Sequence, residues 1–287
     1  MGDPTTTHAA EVARAYYDSA DVDGFYTAVW GGDDIHTGIY EHPDEPVARA
    51  AQRTDARMAE RVADLLGPGR TVVDLGSGYG GAARHLARAH GCRVVALNIS
   101  DVQNRRHREL NVRHGLDALI DVVAGSFHRI PAPDGRFDVV WTQEALVHSG
   151  DRAHMLAEAV RVLAPGGALV LTDVMAADDA HRDELRPVCE RLNVADLATP
   201  DFVREQLTRL GLGQVRFDDL SENLLPHYTR LAEDVRRRRR RNGDELAGEP
   251  TGAFSDAYLE RLRANLPLWV DACEKGLLSW GIFHARR

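Results

Sequence analysis

Between Thr71 and Asp173 short apolar runs alternate with longer segments whose apolar residues recur every three or four positions. Runs of five or six aliphatic and β-branched residues read as buried strands, and the periodic segments as amphipathic helices. The pattern predicts strands at 71–75, 93–98, 120–123, 137–142 and 168–173, with helices near 80–90, 101–114 and 151–163, and "APGG" at 164–167 as the turn before the fifth strand. Strands and helices in strict alternation imply an α/β fold, a parallel sheet covered by helices on both faces.

The flanks are less regular. A polar tail of about ten residues leads to a helix at 11–17, an aromatic and glycine-containing stretch, and an Ala- and Arg-rich helix at 46–66 that "GPG" at 67–69 stops. Beyond Asp173 come helical stretches at 182–193 and 200–210, a strand at 213–221, a mostly helical block and a final strand at 277–285. The expected organisation is a tail and cap over 1–66, a core over 67–221, an insertion over 222–276 between two paired edge strands, and a last core strand in 277–287. Cap and insertion would cover the carboxyl ends of the strands, where open α/β sheets bind ligands.

Composition narrows the function. A net charge of −9 disfavours a polyanionic partner, since nucleic-acid binding draws on Lys and Arg neutralising phosphates. A small-molecule substrate is expected, with no nucleic acid and no membrane, for a monomer or homodimer. The six arginines Arg236 to Arg241 carry no interleaved aromatics and read as a solvated helix end. Cys92, Cys189 and Cys273 are too widely spaced for a zinc or disulfide pattern, the start of the chain has no apolar signal region, and no apolar run reaches membrane length. A cytoplasmic protein is expected.

"VVDLGSGYGG", 72–81, ends the first strand in a glycine loop. Gly76, Gly78 and Gly81 fit a dinucleotide fingerprint, while Gly76, Gly78 and Gly80 fit a G-x-G-x-G loop equally well. Asp74, two residues before Gly76, tips the balance: a carboxylate suits the amino group and sulfonium of S-adenosylmethionine and repels a pyrophosphate. Asn98 at the end of the second strand offers an amide to the ribose hydroxyls.

These residues, with "FDVVW" and "APGG" in order behind them, resemble the class I S-adenosylmethionine-dependent methyltransferases and their Rossmann-like sheet. More narrowly, "YYD...FY..VWGG.DIH.G.Y" (16–40), "DLGSGYGGAARHLA" (74–87), "LNIS..QN" (97–104), "GSF..IP" (125–131), "W.Q.AL.HS" (141–149), "HY" (227–228) and "W......G.L.WG" (269–281) are similar to the sarcosine and dimethylglycine N-methyltransferases, over nearly the whole chain, and the "WGG.DIH.G.Y" part is similar to tocopherol and sterol C-methyltransferases as well. The segment "LNVADLATPDFV", 192–203, differs from that branch and lacks its Gly-Ser. The resemblance implies cofactor contacts at Ser126 and Phe127 near the adenine and Gln143 near the methionyl group, with Trp30, Ser77, Ile99 and Gln103 beside them.

Methyl transfer from a sulfonium is an in-line displacement, and an amine nucleophile must arrive unprotonated. Glu144 and His148, four apart and on one face if their segment is helical, are the candidates to take that proton. Tyr26, Tyr228 and Trp269, among the aromatics Tyr17, Trp30, Tyr40 and Trp280, are expected against a methylammonium, which ring faces attract. Arg53 or Arg186 is expected to grip a substrate carboxylate. Asp33, Asp34 and His36 read as a turn, with no metal. The alternatives are a small-molecule C- or O-methyltransferase with Glu144 as base, and a non-catalytic sensor of S-adenosylmethionine or a nucleotide.

Overall fold

The computed structural model describes residues 4–30, 33–241 and 254–287. In chain order the elements are α1 (Pro4–Tyr17), α2 (Ala20–Phe25) running into a π-helical turn at Tyr26–Trp30, α3 (Val47–Arg61), β1 (Thr71–Leu75), α4 (Gly81–His90) and β2 (Arg93–Asn98). There follow α5 (Asp101–Arg113), β3 (Ile120–Ala124), β4 (Phe137–Gln143), α6 (Arg152–Val162), β5 (Leu163–Ala176) and α7 (Arg186–Leu192). The chain closes with α8 (Pro200–Arg209), β6 (Gly213–Asp219), α9 (Leu224–Arg241), α10 (Asp256–Glu274) and β7 (Leu278–Arg286).

Local chemistry sets several boundaries. Ser100 caps α5 by accepting from the Gln103 amide, Thr199 caps α8 ahead of Pro200, and Gly91 ends α4 in the left-handed region. Three boundaries differ from the sequence expectation. The first helix begins at Pro4, within the supposed polar tail, and α3 ends at Arg61, before "GPG", with a short 3-10 turn at Ala63–Leu65 between them. "APGG" is not a turn ahead of β5 but a bulge within it, because Phe137 pairs with Leu163 while Val139 pairs with Ala168.

The seven strands lie in the order β3-β2-β1-β4-β5-β7-β6. β1 to β5 are parallel, and β7 runs antiparallel to both β5 and β6. The pairing of 213–221 with the last strand holds, but β7 is interior: nine residue pairs from Ala168↔Arg286 to Ala176↔Leu278 tie it to β5, leaving only β6 at that edge.

Alternation along the strands divides the core. Val73, Leu75, Val140, Leu169, Leu171 and Phe283 pack beneath α6 and α8 on one face; Val72, Val139, Trp141, Val170 and Ile282 meet α3 and α4 on the other. A third apolar cluster lies off the sheet, where Val174 and Ala176 at the end of β5 meet Phe25, Tyr26, Tyr228, Leu262 and Trp269 from α2, α9 and α10. Those helices form a roof over the carboxyl ends of β1, β4 and β5, and the site lies beneath it. The arginine run continues α9 to Arg241; Arg237 pairs with Glu233 at 2.9 Å, and the side chains of 238–241 lie outside the described residues.

Candidate active site

Two cavities meet under the roof. The narrower cleft runs along the glycine loop and the ends of β2 and β3, lined by Gly76, Gly78, Asn98, Ile99, Gln103, Ser126, Phe127 and Gln143, with Ile35 and His128. The other is a chamber of about 610 Å³ between α1, α2, α7 and α10, lined by Tyr26, Trp30, Tyr228 and Trp269 among others. Ala13, Tyr17, Ile35, Glu144 and His148 border both. These five form the junction between cleft and chamber.

The cleft suits a nucleoside cofactor. Gly76 and Gly78 have φ of 79° and 52°, and a Cβ would come within 2.6 Å of the Ala145 side chain at the first and 3.2 Å of Ile35 at the second. Asn98 Oδ1 accepts from the Ile99 amide at 3.0 Å and its Nδ2 donates to Gln103 Oε1 at 2.9 Å. Gln103 is buried and lines the cleft next to Asn98, its side-chain oxygen taken by Asn98 and its amide group near the Tyr79 hydroxyl. One lone pair of Asn98 Oδ1 remains.

Three expected cofactor residues are not among those that line the cleft. Asp74 is 3% exposed and pairs across the sheet with Ala96 and Trp141, so pleating turns it toward the face covered by α3 rather than out of the strand end. There Asp74 Oδ2 has no partner among the described residues, and burial, with Asp55 nearby, pushes its carboxyl up to about 8. The Ser77 hydroxyl is likewise buried and without a partner among the described residues. Trp30 borders the chamber instead of the cleft, its indole donating to the His36 carbonyl at 3.2 Å.

Behind Asp74 lies a polar network. His36 Nε2 sits 3.1 Å from Asp55 Oδ1, and although burial opposes its charge, Asp55 and Asp34 hold the imidazolium up to about 10. Gln143 donates to Asp55 at 3.0 Å and accepts from the Trp141 indole at 2.8 Å, which fixes its amide beside the cleft. The acidic turn departs from expectation in one respect: Asp34, His36 and Asp55 come together, while Asp33 leaves the group to pair with Arg84 at 3.1 Å. With a proton on His36 the cluster is an ion-pair network, the imidazolium supplying the positive charge between the carboxylates.

Glu144 and His148 both reach the junction, though not as neighbours on an α-helix. Glu144 leaves β4 with φ of 51°, strained for a non-glycine residue, and His148 ends a 3-10 turn at Leu146–His148. The Thr37 amide donates to both Glu144 carboxylate oxygens at 2.9 and 3.0 Å, and the Trp280 indole donates to Oε1 at 3.0 Å. Trp280 is thus a support for Glu144 and not a chamber wall. Burial still raises the Glu144 pKa, against the lowering effect of His36 and these donors. His148 is pushed down to about 4 by burial and by the charges of Arg152 and Arg191, so its ring is neutral at pH 7. Its Nε2 lies 3.1 Å from the Tyr17 hydroxyl. Burial raises the Tyr17 pKa, so the phenol keeps its proton.

In the chamber the Tyr228 and Trp269 rings stack at 4.6 Å, and Tyr26 and Trp30 meet edge-on at 5.3 Å. Tyr40 is turned aside, hydrogen-bonded to His227 at 3.0 Å. Neither Arg53 nor Arg186 lines the chamber: Arg53 is tied to Glu45 at 2.8 Å, and Arg186 is exposed, 3.8 Å from Asp183. Sequence reading missed Ile35, His128, Asp173 and Arg191. Asp173 ends the fifth predicted strand next to Glu144, which was the available signal; for Arg191 there was none. The divergent segment at 192–203 does reach the site, since Leu192, Asn193, Val194, Ala195 and Asp196 border the chamber.

Comparison with known proteins identifies the family. Residues 73–171 match the family model described as a methyltransferase domain. The chain is 46% identical over 280 residues to the glycine/sarcosine/dimethylglycine N-methyltransferase of Actinopolyspora halophila, covering 98% of this chain and 48% of that one, so it spans about half of that relative's length. It is 43% identical over 279 residues to the sarcosine/dimethylglycine N-methyltransferase of Halorhodospira halochloris, covering 97% of each. A crystal structure from Galdieria sulphuraria, provisionally assigned as a sarcosine dimethylglycine methyltransferase, superposes with a TM-score of 0.83 at 33% identity, covering 92% of this chain and 97% of that one.

Proposed function

The chain belongs to the S-adenosylmethionine-dependent methyltransferases, in the family of the sarcosine and dimethylglycine N-methyltransferases, and from that premise we propose that it methylates the nitrogen of a small carboxylate-bearing amine such as sarcosine or dimethylglycine. The observation that supports this reading is the shared border of cleft and chamber, lined by Glu144, His148 and Tyr17, where a cofactor in the cleft and an amine in the chamber would meet.

S-adenosylmethionine supplies an electrophilic methyl group when bound in the cleft. The chain's task is to hold the nucleophile in line with that group at about 3 to 3.5 Å and to exclude water. A tertiary amine carries its proton on the very lone pair that attacks, so that proton has to leave before the amine is aligned. The junction is built to receive the free base: His148 is neutral, Tyr17 is a protonated phenol, and both lie beside Glu144. As the nitrogen becomes a fixed cation, the Glu144 carboxylate, held by Thr37 and Trp280, stabilises the developing charge in a site shielded from water. Tyr228 and Trp269 offer ring faces to the methylated ammonium, at about 0.5 to 2 kcal/mol per desolvated contact.

Incubation with methyl-labelled S-adenosylmethionine and a panel of amines, phenols and prenyl diphosphates tests this. Label is expected in sarcosine or dimethylglycine; transfer only to phenols or prenyl diphosphates would replace the reading with an O- or C-methyltransferase.

A further inference from the structure

A carboxylate-bearing amine needs a cation at the end of the chamber away from the reacting nitrogen, and three arginines border the chamber. Two are committed elsewhere. Arg152 is clamped to Asp196, its Nη1 at 2.6 Å from Oδ1 and its Nη2 on the Asp196 carbonyl. Arg261 is exposed, with its guanidinium 5.2 Å over the Tyr258 ring. The third, Arg191, sits in the last turn of α7, partly buried, and its polar neighbours are phenols: Tyr16, which hydrogen-bonds to it, Tyr26 and Tyr258. Among the described residues no carboxylate forms an ion pair with it, and burial keeps Tyr26 and Tyr258 protonated, so they do not neutralise it. A guanidinium withdrawn from water without a counter-ion is costly, which makes it a waiting half of a pair.

We propose that Arg191 is the carboxylate anchor of the substrate chamber, an assignment that rests on the N-methyltransferase reading above. The chamber is then bipolar. Glu144 lies on the border shared with the cleft, and Arg191 lines the chamber beyond that border, so a zwitterionic amino acid is taken with its nitrogen toward the junction and its carboxylate toward Arg191. The two ends are close enough to sense each other, since the charge of Arg191 acts on His148. A planar guanidinium grips both oxygens of a carboxylate and makes little of a hydroxyl, so the chamber should separate dimethylglycine from its alcohol counterpart, N,N-dimethylethanolamine.

The test compares kcat/KM for these two amines in the wild type, Arg191→Lys and Arg191→Met, with S-adenosylhomocysteine affinity measured alongside. Arg191→Met is expected to lower kcat/KM for dimethylglycine on the order of 100-fold, mainly through KM, while the alcohol changes less than about threefold. Arg191→Lys should fall between, and affinity for S-adenosylhomocysteine should hold throughout. Arg186→Ala, on the same helix but outside the chamber, should keep the wild-type preference. An unchanged preference in both Arg191 variants, a parallel fall for both amines, or loss of preference in Arg186→Ala would overturn the assignment. A wild-type protein that methylates neither of these amines nor sarcosine would overturn the N-methyltransferase reading itself, and this assignment with it.

Discussion

The Tyr17 hydroxyl lies 3.1 Å from His148 Nε2, a contact between residues 131 positions apart that joins α1 to the loop after β4 exactly where cleft and chamber meet. With His148 pushed down to about 4 and Tyr17 raised, the pair is a neutral ring and a protonated phenol sharing one hydrogen bond. Tyr17→Phe and His148→Ala are each expected to lower kcat by up to about 100-fold, the scale on which misplacing a nucleophile slows an aligned transfer. Because they act as one unit, the double variant should be little worse than either single one. Steady-state kinetics decide it; additive losses would mean that the two act separately.

Glu144 lines the cleft, which in the proposed reaction holds a sulfonium before transfer and a neutral thioether afterwards. Glu144→Gln removes the charge that favours the cation while keeping the shape, and its new amide opposes the Thr37 N–H. Affinity for S-adenosylmethionine should therefore fall about tenfold more than affinity for S-adenosylhomocysteine, as charge-assisted contacts outweigh neutral ones. Calorimetry with both ligands measures the ratio; equal losses would make Glu144 a purely structural acceptor.

Gly76 combines φ of 79° with a missing Cβ that would stand 2.6 Å from the Ala145 side chain. Gly76→Ala should abolish cofactor binding, because the loop must shift as well as adopt a strained dihedral of roughly 1 to 3 kcal/mol. Retained binding of S-adenosylhomocysteine by equilibrium dialysis would contradict the placement of the loop.

His227 is buried, hydrogen-bonded to Tyr40, and pushed down to about 3 by burial and by His36. Its folded value lies below the ordinary 6.5, so its contribution to stability is complete above that value and is lost as pH falls toward 3. Asp74 and Asp173, both pushed up to about 8, act in the opposite sense, favouring the fold as pH falls from 8 toward the ordinary carboxylate range. The two effects separate in a difference measurement. Between pH 7 and 5, His227→Gln should lose less Tm than the wild type, as read by calorimetric scans; equal slopes would show that His227 does not titrate in this way.

Strand alternation and glycine spacing made the sheet legible, since β1 to β4 are read from apolar runs whose burial the fold demands. The edge was harder. β6 and β7 signalled strands, but nothing in "GQVRFDDLS" or "LLSWGIFHA" says that the last strand slips between β5 and β6, because that choice depends on pairing partners distant in sequence. At the site, residues on the loops after strands were readable because motifs name them: Gly76, Asn98, Ser126, Glu144. Asp74 was read as reaching the ligand because its position in the motif is visible, whereas the face it points to follows from register. Arg191 was unreadable, being one arginine among many until the fold of α7 turned it into the chamber.

Methyl transfer to nitrogen at the junction of cleft and chamber is the step on which every role assigned above depends. Single-turnover reaction of the protein with dimethylglycine and 13C-methyl-labelled S-adenosylmethionine, followed by NMR of the product, tests it most directly. A trimethylammonium resonance carrying the label is the expected result. Label in a carboxylate methyl ester or on carbon, with none on nitrogen, would contradict it.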